Sequence, residues 1–163
     1  ASGAGAIFGN TGGVTEAIVR SYGAELSNSE KMQLEYKMVR GLENIKEATI
    51  SLDDKTISVA VVIGLKNVPK IIQEIKDNPG KYQFVEIMAC EGGCIGGAGQ
   101  PRCVSMDKLD VLKRRAKALY ESEILKPVRV SIKNPGLLKT YSSYLGEIGG
   151  AKAKQLLHRT YEK

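Results

Sequence analysis

The sequence has little from which to build several familiar kinds of site. Its 163 residues include one histidine, three cysteines and only 6% aromatic side chains. No apolar run approaches the about 20 residues of a membrane span, so no span is expected. The N-terminus lacks the basic-then-apolar layout of a secretion signal. Three cysteines are an odd number and form no spaced disulfide framework, which by default points to the cytoplasm. The one histidine, His158, lies far from the cysteines, whereas zinc commonly takes histidine or two cysteine pairs. Aromatic–basic interleaving and zinc-finger spacing are both missing, so nucleic acid is not an expected partner.

What remains suits one ordinary domain, able to bury roughly two-thirds of its unfolded surface without disulfides. The net charge of +6 is unevenly placed. Residues 1–80 carry 9 basic and 10 acidic side chains, whereas residues 107–163 carry 13 basic against 6 acidic. A basic C-terminal face of this kind is a solvated or partner-facing surface, or one that steers an acidic redox partner.

Hydrophobic periodicity predicts an α/β fold with a mixed, partly parallel sheet, crossover helices and a C-terminal helical segment. After a glycine-rich start, Val14, Ala17, Ile18 and Tyr22 share a helix face that Gly23 would end. Glu16, in the first turns, suits the helix dipole and needs no catalytic role. Strands are expected around Ala48–Leu52 and Thr56–Val62, joined through Asp53-Asp54-Lys55. The run Val59–Ile63 reads as a strand covered on both faces. Asn67 and Pro69 open a helix with Val68, Ile71, Ile72 and Ile75 on one side. A further strand, about Tyr82 to Ala89, makes a parallel crossover the expected local topology. Three helices account for the rest. Leu109, Leu112, Ala116, Leu119 and Tyr120 stripe the first, with Lys113, Arg114, Arg115 and Lys117 on its outer side. Leu137, Leu138, Tyr141, Tyr144 and Leu145 stripe the second as far as Gly146. Ala153, Leu156, Leu157 and Tyr161 are the buried candidates of the third. His158 near its end reads as a capping or packing residue. The division expected is 1–103 as an α/β unit and 104–163 as a basic helical segment packed on it.

The residues that could carry chemistry run from Glu86 to Pro101, where the last strand ends, and carboxyl ends of parallel strands are where such sheets place their sites. Cys90 and Cys94 can face one metal centre if Gly92 and Gly93 allow a tight turn. Gly96, Gly97 and Gly99 would let backbone N–H groups approach sulfur, where such bonds help set cluster potential. A thiol catalyst lacks a local histidine or a Cys-x-x-Cys pair. Two readings therefore stand on residue chemistry alone: an iron–sulfur site, or two small buried hydrophobes in a glycine-rich turn. A [4Fe–4S] cluster ordinarily takes four thiolates, and Cys103 is not spaced as a companion, so other ligands would have to come from elsewhere.

The pattern Met88-Ala89-Cys90-x-Gly92-Gly93-Cys94-Ile95-Gly96-Gly97-x-Gly99-Gln100-Pro101 resembles the last cysteine motif of iron-only, or [FeFe], hydrogenases. Further motifs follow in the family's order: Ser2-Gly3-Ala4-Gly5-x-Ile7-Phe8-Gly9-x-Thr11-Gly12-Gly13, Val39-Arg40-Gly41-Leu42, Ala118-Leu119-Tyr120, Asn134-Pro135 and Leu156-Leu157-His158. The end of the chain resembles the family's small-subunit segment. The resemblance implies a [4Fe–4S] cubane bridged through a cysteine sulfur to a di-iron subcluster, and interconversion of protons and electrons with dihydrogen. It makes Cys90 a cubane ligand and Cys94 a ligand that also bridges to the di-iron site. Met88 would lie beside that site and Phe8 in its apolar surround.

The family's other cluster cysteines precede the region resembled here. The chain is therefore expected to be a C-terminal fragment, inactive alone and partnered by an N-terminal half or a separate subunit. A ferredoxin-like or NAD(P)-linked protein would exchange electrons with it, and the exposed fragment face could pair with a second copy. Glu91 stands where the family has proline, and Ala98 where it has glycine. A carboxylate there would lower the cluster's potential or have its own pKa raised. Ile132 and Lys154 stand where histidines are common. The alternatives are a non-catalytic α/β structural or interaction module and an iron–sulfur electron-transfer or assembly relative.

Overall fold

A computed structural model describes residues 1–26, 40–42, 44–52, 55–102 and 107–160. A short helix α1 (Gly3–Ile7) leads through a turn into α2 (Gly13–Leu26). Strands β1 (Ile45–Leu52) and β2 (Lys55–Ile63) follow as an antiparallel pair, with Ile45 opposite Val62 and Leu52 opposite Lys55. Helix α3 (Val68–Asp77) then carries the chain across to β3 (Phe84–Met88), which lies parallel to β2. The sheet order is β1-β2-β3. The expected mixed, partly parallel sheet with a crossover helix is therefore present.

Side-chain alternation on β2 explains why it sits in the middle. Val59 and Val61 face a cluster with Val19 of α2, Ala48 and Ile50, whereas Ala60 and Val62 face Ile71 of α3. With both faces covered, the strand reads as an unbroken apolar run.

Several expectations are corrected by tertiary packing. Gly23 does not end α2, which continues to Leu26. Ile18 of the expected face is exposed, while Thr15, Glu16, Val19 and Arg20 are buried, so the helix is rotated from its apparent apolar stripe. In α3 only Ile71 is buried, and Ile72 and Ile75 remain exposed. Asn67 does occupy the N-cap position, but its side chain donates to the Ile63 carbonyl and caps no helical N–H. The last strand begins at Phe84 rather than Tyr82, although the Gln83 N–H still donates to the Ser58 carbonyl of β2 (2.9 Å).

The C-terminal segment is helical, as expected. Helix α4 (Lys108–Ile124) is capped by Asp107, whose carboxylate accepts the Leu109 and Asp110 N–H groups. Helix α5 (Pro135–Thr140) runs into a π-helical turn Tyr141–Leu145, and α6 (Ala151–Leu157) follows. Gly146, at positive φ, ends the middle stretch where the sequence placed its stop. Leu156 and Leu157 are exposed, leaving Ala153 as the buried residue of α6. Tyr144 is exposed with the Lys152 ammonium 4.0 Å from its ring centre, so it does not pack as expected. His158 is the C-cap residue of α6 with an exposed side chain. The chain start hydrogen-bonds to this segment: the Gly3 and Ala4 N–H groups donate to the Val128 and Arg129 carbonyls at 2.8 and 2.9 Å. Val39, Asp53, Asp54, Cys103 and Tyr161, which entered the sequence analysis, lie outside the described residues.

Candidate cluster-binding loop

The loop after β3 is held in a tight path by its glycines. Gly92 and Gly93 both have φ near +80° (80° and 82°), a region that side chains rarely adopt. A Cβ on Gly93 would lie 2.7 Å from the Gly9 carbonyl oxygen, so this position excludes any side chain. The closeness arises because the turn after α1 lies alongside the loop. Asn10 and Gly93 form an antiparallel bridge, the Cys94 N–H donates to the Gly9 carbonyl (2.8 Å), and the Thr11 N–H donates to the Gly92 carbonyl (3.2 Å).

This arrangement leaves both Cys90 and Cys94 as exposed free thiols. The reading of them as small buried hydrophobes is thereby overturned. The Gly93 N–H donates to the Cys90 carbonyl (3.0 Å), closing the turn between the two cysteines. Phe8, half exposed at 51%, immediately precedes Gly9, whose Cα faces the Cys94 side chain. Phe8 and Cys94, far apart in sequence, thus come from adjoining backbone turns. Met88 ends β3 partly buried, its carbonyl accepting the Gly64 N–H (2.7 Å).

Gly96 and Gly97 have a different use from the expected one. Their N–H groups donate to the Gly93 and Cys94 carbonyls at 3.0 and 3.1 Å and are spent inside a 3-10 turn. Gly96 is needed for space, since a Cβ there would sit 1.9 Å from the Glu91 carbonyl oxygen. Glu91 forms an ion pair outside the turn. The Lys108 ammonium, 2.7 Å away, holds its carboxyl below the usual carboxylate range through a hydrogen bond and its charge.

Two residues central to the loop's support were not singled out from sequence. Glu86 is buried on β3, four residues before Cys90, and its carboxylate accepts the Gly12 N–H, the Thr15 N–H and the Thr15 hydroxyl, each at 2.8 Å. It thereby ties the strand that leads to the cysteines to the N-terminus of α2. A lone carboxylate in an apolar strand was the available signal. Arg115, expected on the outer side of α4, instead donates to the Ile95 and Pro101 carbonyls (2.8 and 2.7 Å). Nothing in the helical periodicity sets it apart from its basic neighbours.

Behind the loop, a cleft of about 430 Å³ lies between α4 and the Asn10–Thr11 turn, walled by Ala116, Tyr120 and Ile124. No thiol lines it. Burial pushes the Tyr120 phenol up to about 12, against the lowering effect of Arg40. The Arg40 guanidinium lies 4.2 Å from the centre of that ring.

Among the described residues, no group of three or more histidine, cysteine, aspartate or glutamate side chains could hold a metal ion. The donor set fits part of a thiolate-ligated cluster: two accessible sulfurs on one rigid turn, with the remaining ligands to be supplied by other residues. Among the described residues, no helix is long and apolar enough to cross a membrane.

Comparison with known proteins gives one consistent family. Residues 1–98 match the iron-only hydrogenase large subunit, C-terminal domain, and residues 109–163 match the iron hydrogenase small subunit. Iron hydrogenase 1 of Clostridium pasteurianum is 43% identical over 99% of this chain, which spans 29% of that protein's length. A solved variant of [FeFe]-hydrogenase HydA1 from Chlamydomonas reinhardtii superposes with a TM-score of 0.69 at 36% identity, covering 94% of this chain and 45% of that one. The cytosolic Fe-S cluster assembly factor narfl of Danio rerio is 29% identical over 93% of this chain and 36% of its own length. With residues 1–98 and 109–163 matched by two successive hydrogenase segments, this chain belongs to the iron-only, or [FeFe], hydrogenase family.

Proposed function

We propose that this chain supplies one side of a hydrogenase-type cluster cradle, with Cys90 and Cys94 as two of the thiolate ligands. The observation that carries this reading is the exposed pair of thiols on a glycine-locked turn at the carboxyl end of a parallel strand. When bound, the cubane and di-iron subcluster would relay electrons and supply the chemistry that makes or breaks the H–H bond. Cys90 and Cys94 would hold the group, Cys94 as the ligand that the resemblance makes common to both parts. Phe8, in the adjoining turn, would shield the site from water, and Met88 at the end of β3 would add a polarizable thioether. Gly92, Gly93, Gly96 and Gly97 keep the loop narrow enough to approach a cluster.

In the complete protein the activity is reversible oxidation of dihydrogen and reduction of protons. The other ligands come from an N-terminal half or a separate subunit, and electrons pass to a ferredoxin-like or NAD(P)-linked partner. The cytoplasm is the compartment we assign, on the odd cysteine count and the cytosolic name of the narfl relative. Exposed Phe8, Leu65 and Ile87 give the isolated chain apolar surface through which a second copy could associate.

A second reading, iron–sulfur cluster assembly or electron transfer without hydrogen chemistry, is favoured by the similarity to narfl. One experiment tests the first and separates the two. The chain, alone and joined to the iron-hydrogenase portion that precedes the matched region, is reconstituted anaerobically with iron and sulfide. The joined protein is expected to retain iron and sulfide, and the Cys90→Ala/Cys94→Ala variant to lose both. Stoichiometric retention by the double variant would sink the assignment. A loaded protein that accepts the di-iron subcluster and turns over hydrogen supports the first reading, and one that holds iron and sulfide without it supports the second.

A further inference from the structure

The segment from Ile95 to Pro101 has few internal means of holding its shape. Apart from its first 3-10 turn it has, among the described residues, one backbone bond, from the Gln100 N–H to the Gly97 carbonyl (3.1 Å). Ala98, Gly99 and Gln100 are exposed, and a side chain at Gly99 would meet nothing within 4 Å. A glycine-rich stretch of this kind has high conformational entropy unless something outside it restrains the backbone. The restraint is one guanidinium. Arg115 Nη1 donates to the Ile95 carbonyl at 2.8 Å and Nη2 to the Pro101 carbonyl at 2.7 Å, so a single planar fork spans both ends of the segment. Ile95 directly follows Cys94, and its side chain is buried.

Arg115 stands on α4, within the part of the chain that matches the small-subunit family, whereas Cys90 and Cys94 stand in the part that matches the large subunit. We propose that Arg115 is a positioning residue through which the C-terminal helical segment forms part of the cluster cradle, fixing the backbone that follows Cys94. The cluster-directed half of this proposal rests on the function proposed above; the ordering of the loop does not. A lysine is a poor substitute for the fork, because its three donors share one nitrogen on a flexible stem and offer no planar pair held towards two separate carbonyls. The geometry of the fork, and not charge alone, is therefore what the loop requires.

The test begins on the metal-free chain, by amide hydrogen exchange resolved to single residues. Arg115→Ala and Arg115→Lys are each expected to speed exchange at the Gly97 and Gln100 amides at least tenfold, with the β1–β2 ladder unchanged within twofold. Exchange at Gly97 and Gln100 that stays at the wild-type rate overturns the proposal. So does a parallel rise at all amides, which would mark a general loss of stability, and so does full restoration by lysine. In the joined, reconstituted protein, Arg115→Lys is expected to retain less than half the iron held by wild type after gel filtration. Equal retention overturns the cluster-directed half. A wild-type protein that takes up no iron overturns the proposed function instead, and is recognised because exchange at Gly97 and Gln100 still responds to Arg115.

Discussion

Glu123 has no exposed surface, and its carboxylate accepts from Arg20 (2.7 Å) and Arg129 (2.6 Å). Arg20 also pairs with buried Glu16, which accepts two further bonds from Arg40 at 2.7 and 2.9 Å. Five charges thus share one site built on two fully buried carboxylates, where removing both arginines of either carboxylate would leave an uncompensated buried ion at a cost of about 3–5 kcal/mol. Burial pushes the Glu123 carboxyl up, but the hydrogen bond and charge of Arg20, then those of Arg129, outweigh it and hold the group below the usual range. A carboxyl whose folded value is depressed contributes stability above its unfolded value, about 4.3 for glutamate, and loses it as pH falls through the folded value. The urea midpoint is therefore expected to drop steeply below about pH 4, and Glu123→Gln to lower the plateau while flattening that drop. A variant as acid-sensitive as wild type would remove Glu123 from this role. From the sequence alone, Glu16 takes a dipole-favouring place in the first turns of its helix and has no catalytic role. Its reclassification needed the tertiary structure, since Arg20 and Glu123 are 103 residues apart.

Elements were legible wherever local chemistry and packing agree. The covered strand β2, the crossover through α3 and the stop at Gly146 follow from apolar runs, proline and glycine placement. Faces were less legible than elements, because α2 and α3 bury only part of the apolar stripe that their periodicity displays. The cysteine loop shows both sides of this. Its glycines announce a tight turn, yet which glycine is indispensable depends on what lies opposite. Gly93, at φ 82° and ψ −149°, occupies backbone space that is essentially glycine's alone. Gly93→Ala is expected to cost at least about 2 kcal/mol, from strain of roughly 1–3 kcal/mol and the contact with Gly9. Gly99→Ala, facing open space, should stay within about 0.5 kcal/mol of wild type. Denaturant midpoints measured side by side check the contrast, and similar losses at both positions would refute it.

At the scale of the whole molecule, the segments matching two separate families are joined by more than the covalent chain. Arg20 to Glu123, Gly3 to Val128, Ala4 to Arg129 and the Ser2–Ser131 hydroxyl pair (2.8 Å) all cross between them. A protease site introduced within residues 103–106 is accordingly expected to yield two pieces that still elute together by size-exclusion chromatography with light scattering. Arg20→Ala should weaken that association, because Arg20 is the side chain that bonds to both Glu16 and Glu123 and its loss leaves them only Arg40 and Arg129. Separation of the nicked wild-type chain would show that these contacts do not suffice.

By itself the sequence determined the family, the α/β class and the cysteine pair, because motif spacing and hydrophobic period are properties of neighbouring residues. Only the tertiary structure decided that both thiols are exposed, that Lys108 neutralises Glu91, and that Glu86 and Arg115 hold the loop from opposite sides. The physical reason is common to all of these. Burial, ion pairing and backbone clamping depend on which distant segments meet, and a carboxylate or guanidinium carries no local mark of the partner it will find.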